Sequence, residues 1–299
     1  MPNNLGVVID KFTKRLDAVI ESEAKTSGLN ANKDLVGEMD SAGKVEVAKI
    51  VLDGLADHVR SGGFTAGSIT QTWETFQLRF DRDREFSIDV LDDEERAMIV
   101  SANVMNEFMR TKVVPEVDAV RFSTLFAKKA NGNTAAANLA TGDAAVDALL
   151  DAEAVIEDNG GELSKCILYM TSTVKKLLRK AQPWRFGVGD NPNTLIDTYD
   201  DMRIETVPQN RFYTAIDLLD GTTAGETGGG YAKNTNAKDI NFMIVQPDCC
   251  AAIAKHVKLR YFAPDVNQTD DAHLWQYRLF HDLLVYDNKA GLIYAHTKA

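Results

Sequence analysis

The sequence predicts an α+β fold, and three observations carry that expectation. Between Trp73 and Val90, apolar and polar residues alternate with the period of a strand that has one apolar face. Phe76, Leu78 and Phe80 interleave with Thr75, Gln77 and Arg79, and Phe86, Ile88 and Val90 make a second run. After them, Ala97, Val100, Val104, Met105, Phe108 and Met109 recur at three- and four-residue spacings, the stripe of a long amphipathic helix. Elsewhere strand-like and helix-like segments intermix without the steady strand–helix–strand rhythm of a parallel sheet. No repeat of fixed period is present.

From the N-terminus, Leu5, Val8, Ile9, Phe12, Leu16, Val19 and Ile20 form one helical stripe that ends near Gly28. That helix is either an arm docked on a neighbouring subunit or a helix packed on its own core. Lys44 to Leu52 alternates roughly and reads as a strand, and Gly62, Gly63 and Gly67 open the hairpin region and supply flexibility at its base. The charged bend Asp81-Arg82-Asp83-Arg84 joins the two alternating runs into an expected β-hairpin. Asp92, Asp93, Glu94 and Glu95 suit the positive end of a starting helix, and Pro115 is expected to stop it.

A two-stranded ribbon is marginal in isolation and leaves unpaired edges, so one that projects beside a long helix finds its partners in another subunit. Self-assembly is therefore the leading expectation, with Trp73, Phe76, Leu78, Phe80, Arg82, Arg84, Phe86 and Ile88 as the inter-subunit contacts. Asp118 and Arg121 are expected to form surface ion pairs that orient the helix against the next domain, each contributing about 0–1 kcal/mol.

In the second half, residues 130–142 are small and polar and read as a loop. Asp143 caps an expected helix to about Glu157, ended by Asn159-Gly160-Gly161. Lys165 to Met170 reads as a strand, followed from Thr171 or Ser172 by a short helix whose basic end (Lys175, Lys176, Arg179, Lys180) is ordinary helix-dipole chemistry. Met202 to Val207, Ile240 to Val245, Lys258 to Phe262 and Leu279 to Tyr286 read as strands. Pro247-Asp248 is expected to open a helix to about His256, and Trp275, Tyr277 and Phe280 read as core anchors.

Composition and motifs point away from catalysis. With 44% hydrophobic and 26% charged residues among 299, the chain is globular and long enough for a substantial core. No run of about eighteen apolar residues or signal-peptide pattern occurs. A net charge of −11 argues against general nucleic-acid binding, which rests on neutralising phosphates, and an acidic lining would not hold DNA to a wall. Cys166, Cys249 and Cys250 fit neither a disulfide framework nor a zinc pattern, and are expected to be buried and reduced. The Gly221–Gly230 loop followed by Tyr231-Ala232-Lys233 invites a nucleotide-binding reading, but Ala232 and Asn234 stand where a Walker loop needs glycine and Ser or Thr. The five histidines are scattered without metal-ligand spacing, and no nucleophile elbow is present. The expectation is no enzyme, no cofactor and no metal.

The string LRFDRDREFSIDVLDDEE, then MNEFMRTKVVPEVDAVRFS, then VKLRYFAPDVNQTDDAHLWQYRLFHDLLVYDNKAGLIY, resembles the major capsid proteins of tailed bacteriophages, with the Hong Kong 97-like fold. The resemblance runs from about Gly62 onward. It implies an N-terminal arm (1–59), an extended-loop hairpin (60–91), a peripheral domain with a spine helix (92–148), an axial domain holding the glycine-rich loop (149–257), and return strands (258–299). It also implies hexamers and pentamers of an icosahedral shell around double-stranded DNA, assembled in a bacterial cytoplasm, with separate scaffold, portal and decoration proteins as further partners. Some sixty residues before the hairpin are too few for an arm plus the scaffolding segment of certain members. Covalent linking of such shells needs a lysine on the extended loop; none lies between Lys49 and Lys112, so noncovalent cohesion is expected. An encapsulin-type nanocompartment shell is the near alternative, and a nucleotide-dependent enzyme using the glycine-rich loop is the alternative from another class.

Overall fold

The computed structural model describes residues 23–30, 44–58, 66–90, 105–181, 186–188, 197–268 and 270–299. The expected helix over Leu5–Ile20 and the acidic start at Asp92–Glu95 lie outside these residues. Strands β1 (Lys44–Leu52) and β2 (Ile69–Gln77) pair antiparallel over their full length, from Lys44 opposite Gln77 to Leu52 opposite Ile69. They form a long two-stranded ribbon.

The expected hairpin across Asp81–Arg84 does not form. Strand β3 (Phe80–Asp89) runs unbroken through that segment and is the edge of a three-stranded sheet with β12 (Cys250–Phe262) and β13 (Ala272–Val285), in the order β12-β13-β3. Phe80 lies opposite His281 and Asp89 opposite Ala272. A tight hairpin needs residues that accept positive φ, and Asp-Arg-Asp-Arg supplies none of the usual glycine or asparagine. Alternating charges on an edge strand instead keep it from pairing with stray chains. The chain breaks at Leu78-Arg79, between β2 and β3.

Pro115 does not stop the long helix. Residues 105–108 are helical, a π turn follows at Met109–Val113, and α1 (Val114–Lys128) continues with Pro115 in its first turn. The Val114 N–H reaches the Met109 carbonyl, one residue further back than in an α-helix. That wider turn absorbs the proline, which lacks a donor and would crowd the carbonyl a turn earlier.

A mixed seven-stranded sheet forms the larger core. It contains β4 (Thr134–Ala136), β5 (Ile167–Thr171), β6 (Phe186–Val188), β7 (Asp197–Tyr199), β8 (Met202–Val207), β11 (Ile240–Val245) and β14 (Ile293–Thr297), in the order β4-β14-β11-β5-β8-β7-β6. Helices α2 (Gly142–Asp158) and α3 (Ser172–Ala181) cover one face, where Leu149, Ile156, Val174 and Leu178 meet Leu168, Met170, Phe242 and Ile244. Helix α1 covers the other face, where Phe122 and Leu125 meet Tyr169, Met243 and Val245. With both faces covered, β5 and β11 are buried at every position and read as continuous apolar runs. A small hairpin of β9 (Ile216–Leu218) and β10 (Tyr231–Lys233) carries the glycine-rich loop.

Two local expectations are corrected. Thr141, not Asp143, caps α2, its hydroxyl accepting from the Ala144 N–H at 3.3 Å. After Pro247 only a short 3-10 turn forms before β12, so the expected helix to His256 is absent. The apolar Cys250–Ala254 run suits either element, and the long partner β13 decides for strand. The three cysteines are free and buried, as expected. Of the core anchors, Tyr277 is buried, while Trp275 and Phe280 pack partly buried against their clusters.

Candidate functional site

Three features stand out: the ribbon, the cleft beside its root and the anchor on α1. Leu78 fixes the root, 6% exposed and packed with Ala251, Ile253 and Leu284, while Phe76 lies against the same cluster. Beyond that root, no other strand or helix among the described residues makes more than marginal contact with β1 or β2. The tip is solvated: residues 53–58 and 66–70 are exposed, with Leu55 fully so and Ile69 at 76%. The Asp53 carboxylate accepts from the Ser68 N–H at 2.6 Å and ties the two tip segments together. The side chain of Trp73 lies outside the described residues. The ribbon is not free of lysine, because β1 carries Lys44 and Lys49.

Along β3, Phe80, Arg82, Arg84, Phe86 and Ile88 point to the half-buried side, and Asp81, Asp83, Glu85 and Asp89 to solvent. The inner residues have partners within the subunit. Phe80 lies beside His281 with centroids 6.0 Å apart, and Phe86 meets Phe108 edge-on at 4.9 Å. Arg82 pairs with Glu116 at 2.7 Å and donates to the Gly230 carbonyl at 3.0 Å, while Arg84 donates to the Thr227 carbonyl at 3.4 Å. These contacts dock the glycine-rich loop onto β3. At Gly221 φ is +75°, a left-handed backbone conformation that favours glycine, and a Cβ there would stand 3.1 Å from Arg84 Nη1. A cleft of about 790 Å³ lies between this loop, β3 and the π turn.

The α1 anchor corrects the expected surface pairing of Asp118 with Arg121. Asp118 is wholly buried, and its carboxylate accepts from four donors: the Lys25 N–H (3.1 Å), the Thr26 N–H (3.1 Å), the Thr26 hydroxyl (2.7 Å) and Arg211 Nη1 (2.9 Å). Arg121, 6% exposed, instead donates from Nη1 to the Thr26 carbonyl (3.2 Å) and hydroxyl (2.9 Å). Thr26 therefore bridges the two charges, donating to one and accepting from the other. The segment 23–30 is thereby clamped across α1, with Leu29 in the core and Asn30 bridged in parallel to Ala252. A Cβ on Gly28 would meet Ile167 Cδ1 at 2.8 Å, so the segment lies flush on the sheet. Sequence spacing gave no sign of this knot, whose members are far apart in the chain.

His281 is the buried titratable group with a clear pH consequence. It is 2% exposed, its Nδ1 has no hydrogen-bond partner among the described residues, and Arg121, Arg82 and Asp282 are its charged neighbours. Burial, aided by Arg121, lowers its pKa from 6.5 to about 4. Between those values the unfolded chain binds a proton that the folded chain does not. The contribution is thus complete above pH 6.5 and is lost as pH falls to about 4, by about 3 kcal/mol in total. His281→Phe is expected to flatten that part of the urea-midpoint profile from pH 7 to 4.5. Parallel profiles for variant and parent would refute the assignment.

His296 holds Asn241 Nδ2 at 3.0 Å and His273 holds the Tyr261 hydroxyl at 2.6 Å. Among the described residues no group of His, Cys, Asp and Glu is placed to hold a metal ion, and no helix is long and apolar enough to cross a membrane.

No protein-family profile matches the chain, and no curated protein matches it by sequence. Solved structures do match. A chain from the asymmetric unit of the bacteriophage PhiM1 mature capsid superposes with a TM-score of 0.58 at 12% identity, over 87% of this chain and 83% of its own. One from the capsid of the cyanophage P-SCSP1u gives 0.57 at 12% identity, over 87% and 85%. One from the capsid of an empty GTA particle gives 0.54 at 11% identity, over 93% and 90%. The fold is that of phage capsid chains. The resemblance read from the sequence and the similarity of folds agree, and the coverage leaves no large part of either chain unmatched.

Proposed function

We propose that this protein is the structural subunit of a capsid, assembling with copies of itself into a closed icosahedral shell around double-stranded DNA. The observation that carries this reading is the β1–β2 ribbon, which has no packing partner within its own subunit beyond its root among the described residues. A ribbon of that length is not stable by itself in water and needs a surface to cover it. The capsid fold supplies the context: copies arranged as hexamers and pentamers offer that surface at every neighbour. In this reading β1–β2 is the extended loop, the three-stranded sheet with the π turn and α1 is the peripheral domain, and the seven-stranded sheet with α2 and α3 is the axial domain. The action is binding, not catalysis. Each interface is modest, and closure of the shell adds them by multivalency.

Of the eight contact residues expected from sequence, Leu78 is buried in the subunit core and serves the ribbon's root. Arg82, Arg84 and Phe86 line the cleft and have partners within the subunit. Scaffold, portal and decoration proteins are the further partners this role calls for. Size decides the proposal. By light scattering and negative-stain microscopy the purified protein is expected to give capsomers or multi-megadalton particles. A 32.9 kDa monomer under every condition that drives assembly would overturn it. Particles formed in the native host that contain protein cargo and no DNA would favour the encapsulin alternative.

A further inference from the structure

The sequence holds two Asn-Gly pairs, Asn131-Gly132 and Asn159-Gly160. We propose that Asn131 is a site of spontaneous deamidation in the folded protein, and that the structure protects Asn159 from the same reaction. The reaction starts when the glycine N–H loses its proton to solvent and its nitrogen attacks the side-chain Cγ of the asparagine. A C–N bond forms and the side-chain nitrogen leaves as ammonia, which closes a succinimide ring. One water then opens the ring at either carbonyl. The product is an aspartate, or an isoaspartate whose main chain runs through the side-chain carbon. No oxidant, metal or enzyme takes part. Glycine in the second place favours the attack because it has no Cβ to crowd the approach. By sequence the two pairs are equivalent, and their surroundings separate them.

Asn131 and Gly132 sit exposed at the centre of a turn closed by the Asn133 N–H on the Ala130 carbonyl at 3.2 Å. Gly132 has φ +92° and open space where a Cβ would stand. Among the described residues its N–H donates to no carbonyl. The peptide joining the pair is therefore able to rotate without opening the turn, since glycine accepts either sign of φ. Asn159 is held instead. It ends α2, and its Nδ2 donates to the Val155 carbonyl at 2.7 Å. The nucleophile is engaged as well, because the Gly160 N–H donates to the Glu157 carbonyl at 2.8 Å. Gly291 lies against the same amide, where a Cβ would stand 3.0 Å from Asn159 Oδ1. Attack at Asn159 thus has to break two hydrogen bonds first. At Asn131 the consequence falls on β4. Asn133, 6% exposed, donates from Nδ2 to the Gly291 and Ile293 carbonyls at 2.8 and 3.0 Å, and β4 begins at the next residue. An isoaspartate at position 131 inserts an extra main-chain carbon just ahead of that anchor.

Peptide mapping by mass spectrometry tests this, after the full-length protein has been held in mildly alkaline buffer and isoaspartate resolved from aspartate by chromatography. In the folded protein the peptide containing Asn131 is expected to convert about tenfold faster than the one containing Asn159, or more, as the loss of two hydrogen bonds requires. In urea-unfolded protein both are expected to convert at similar rates, because only local sequence then acts. Equal rates in the folded protein, or conversion of Asn131 only on unfolding, would overturn the proposal. Amide hydrogen exchange across Thr134–Ala136 reads the consequence. The isoaspartate form is expected to exchange faster there than the parent. Asn131→Asp, which adds the charge without the extra carbon, is expected to match the parent. Exchange in the isoaspartate form no faster than in the parent would refute the link to β4.

Discussion

Asp118→Ala is expected to lower the unfolding free energy of the subunit by about 3–5 kcal/mol, the cost of stripping a buried charge network of one member. The loss has a definite origin. Arg211 and the Thr26 hydroxyl lose their acceptor, as do the N–H groups of Lys25 and Thr26, and Arg121 is left bound to a threonine that is no longer held. Thr26→Val, which removes a hydroxyl but leaves both charges and the N–H bonds, is expected to cost about 1–2 kcal/mol. Urea unfolding of the two variants beside the parent measures both. Because the knot clamps segment 23–30, the Asp118 variant should also be cleaved by protease near Lys25 faster than the parent. A loss below about 1 kcal/mol with unchanged cleavage would show that the segment is held by Leu29 and the Asn30 bridge instead.

The second large effect is on assembly. Replacing Lys44–Gln77 by a short glycine–serine linker is expected to leave a folded subunit whose melting temperature lies within a few degrees of the parent, with particle formation below detection. Only Phe76 contributes from that stretch to a described core cluster, and Leu78 remains in place. A cut from Trp73 to Val90, which the sequence alone would recommend as the hairpin deletion, removes all of β3. It is expected to unfold the subunit, because β13 would lose a ten-residue partner together with the Phe86–Phe108 contact. Closed particles from the linker variant would refute the role given to the ribbon. Loss of folding in that variant would place the ribbon in the subunit core.

The two deletions differ because period-2 alternation shows that a segment is a strand and says nothing of its partner. The alternation on either side of Asp81–Arg84 was legible as strand, but the charged segment was read as a turn, and neither the continuity of β3 through it nor its pairing with a segment nearly two hundred residues away was legible. Lys44 to Leu52 was legible as a strand in the same way, and its pairing with β2 was again settled at a distance. The helix leading into α1 was legible from its stripe as far as Met109, of which residues 105–108 are described and helical, whereas α1 itself lies beyond the expected stop at Pro115. Its passage through the proline depended on a π turn that residue preferences do not announce. The apolar run after Pro247 suits helix or strand equally, and β13 resolved it.

The candidate site divides along the same line. The sequence by itself determined the α+β class, the period-2 alternation at the two ends of β3 and the strand segments β5 and β11, and it raised the expectation that a two-stranded ribbon needs an outside partner. All of these follow from local spacing and from the cost of leaving apolar faces and backbone edges in water. Only the tertiary structure decided which strands form the ribbon, that Leu78 roots it, and that Asp118, Thr26, Arg121 and Arg211 form one buried knot. It alone decided that Arg84 and Lys112 face a cleft while Asp81 and Glu116 are already engaged. The physical reason is that the partner of a charge or a strand edge is whatever the fold brings within reach, and spacing along the chain carries no record of it.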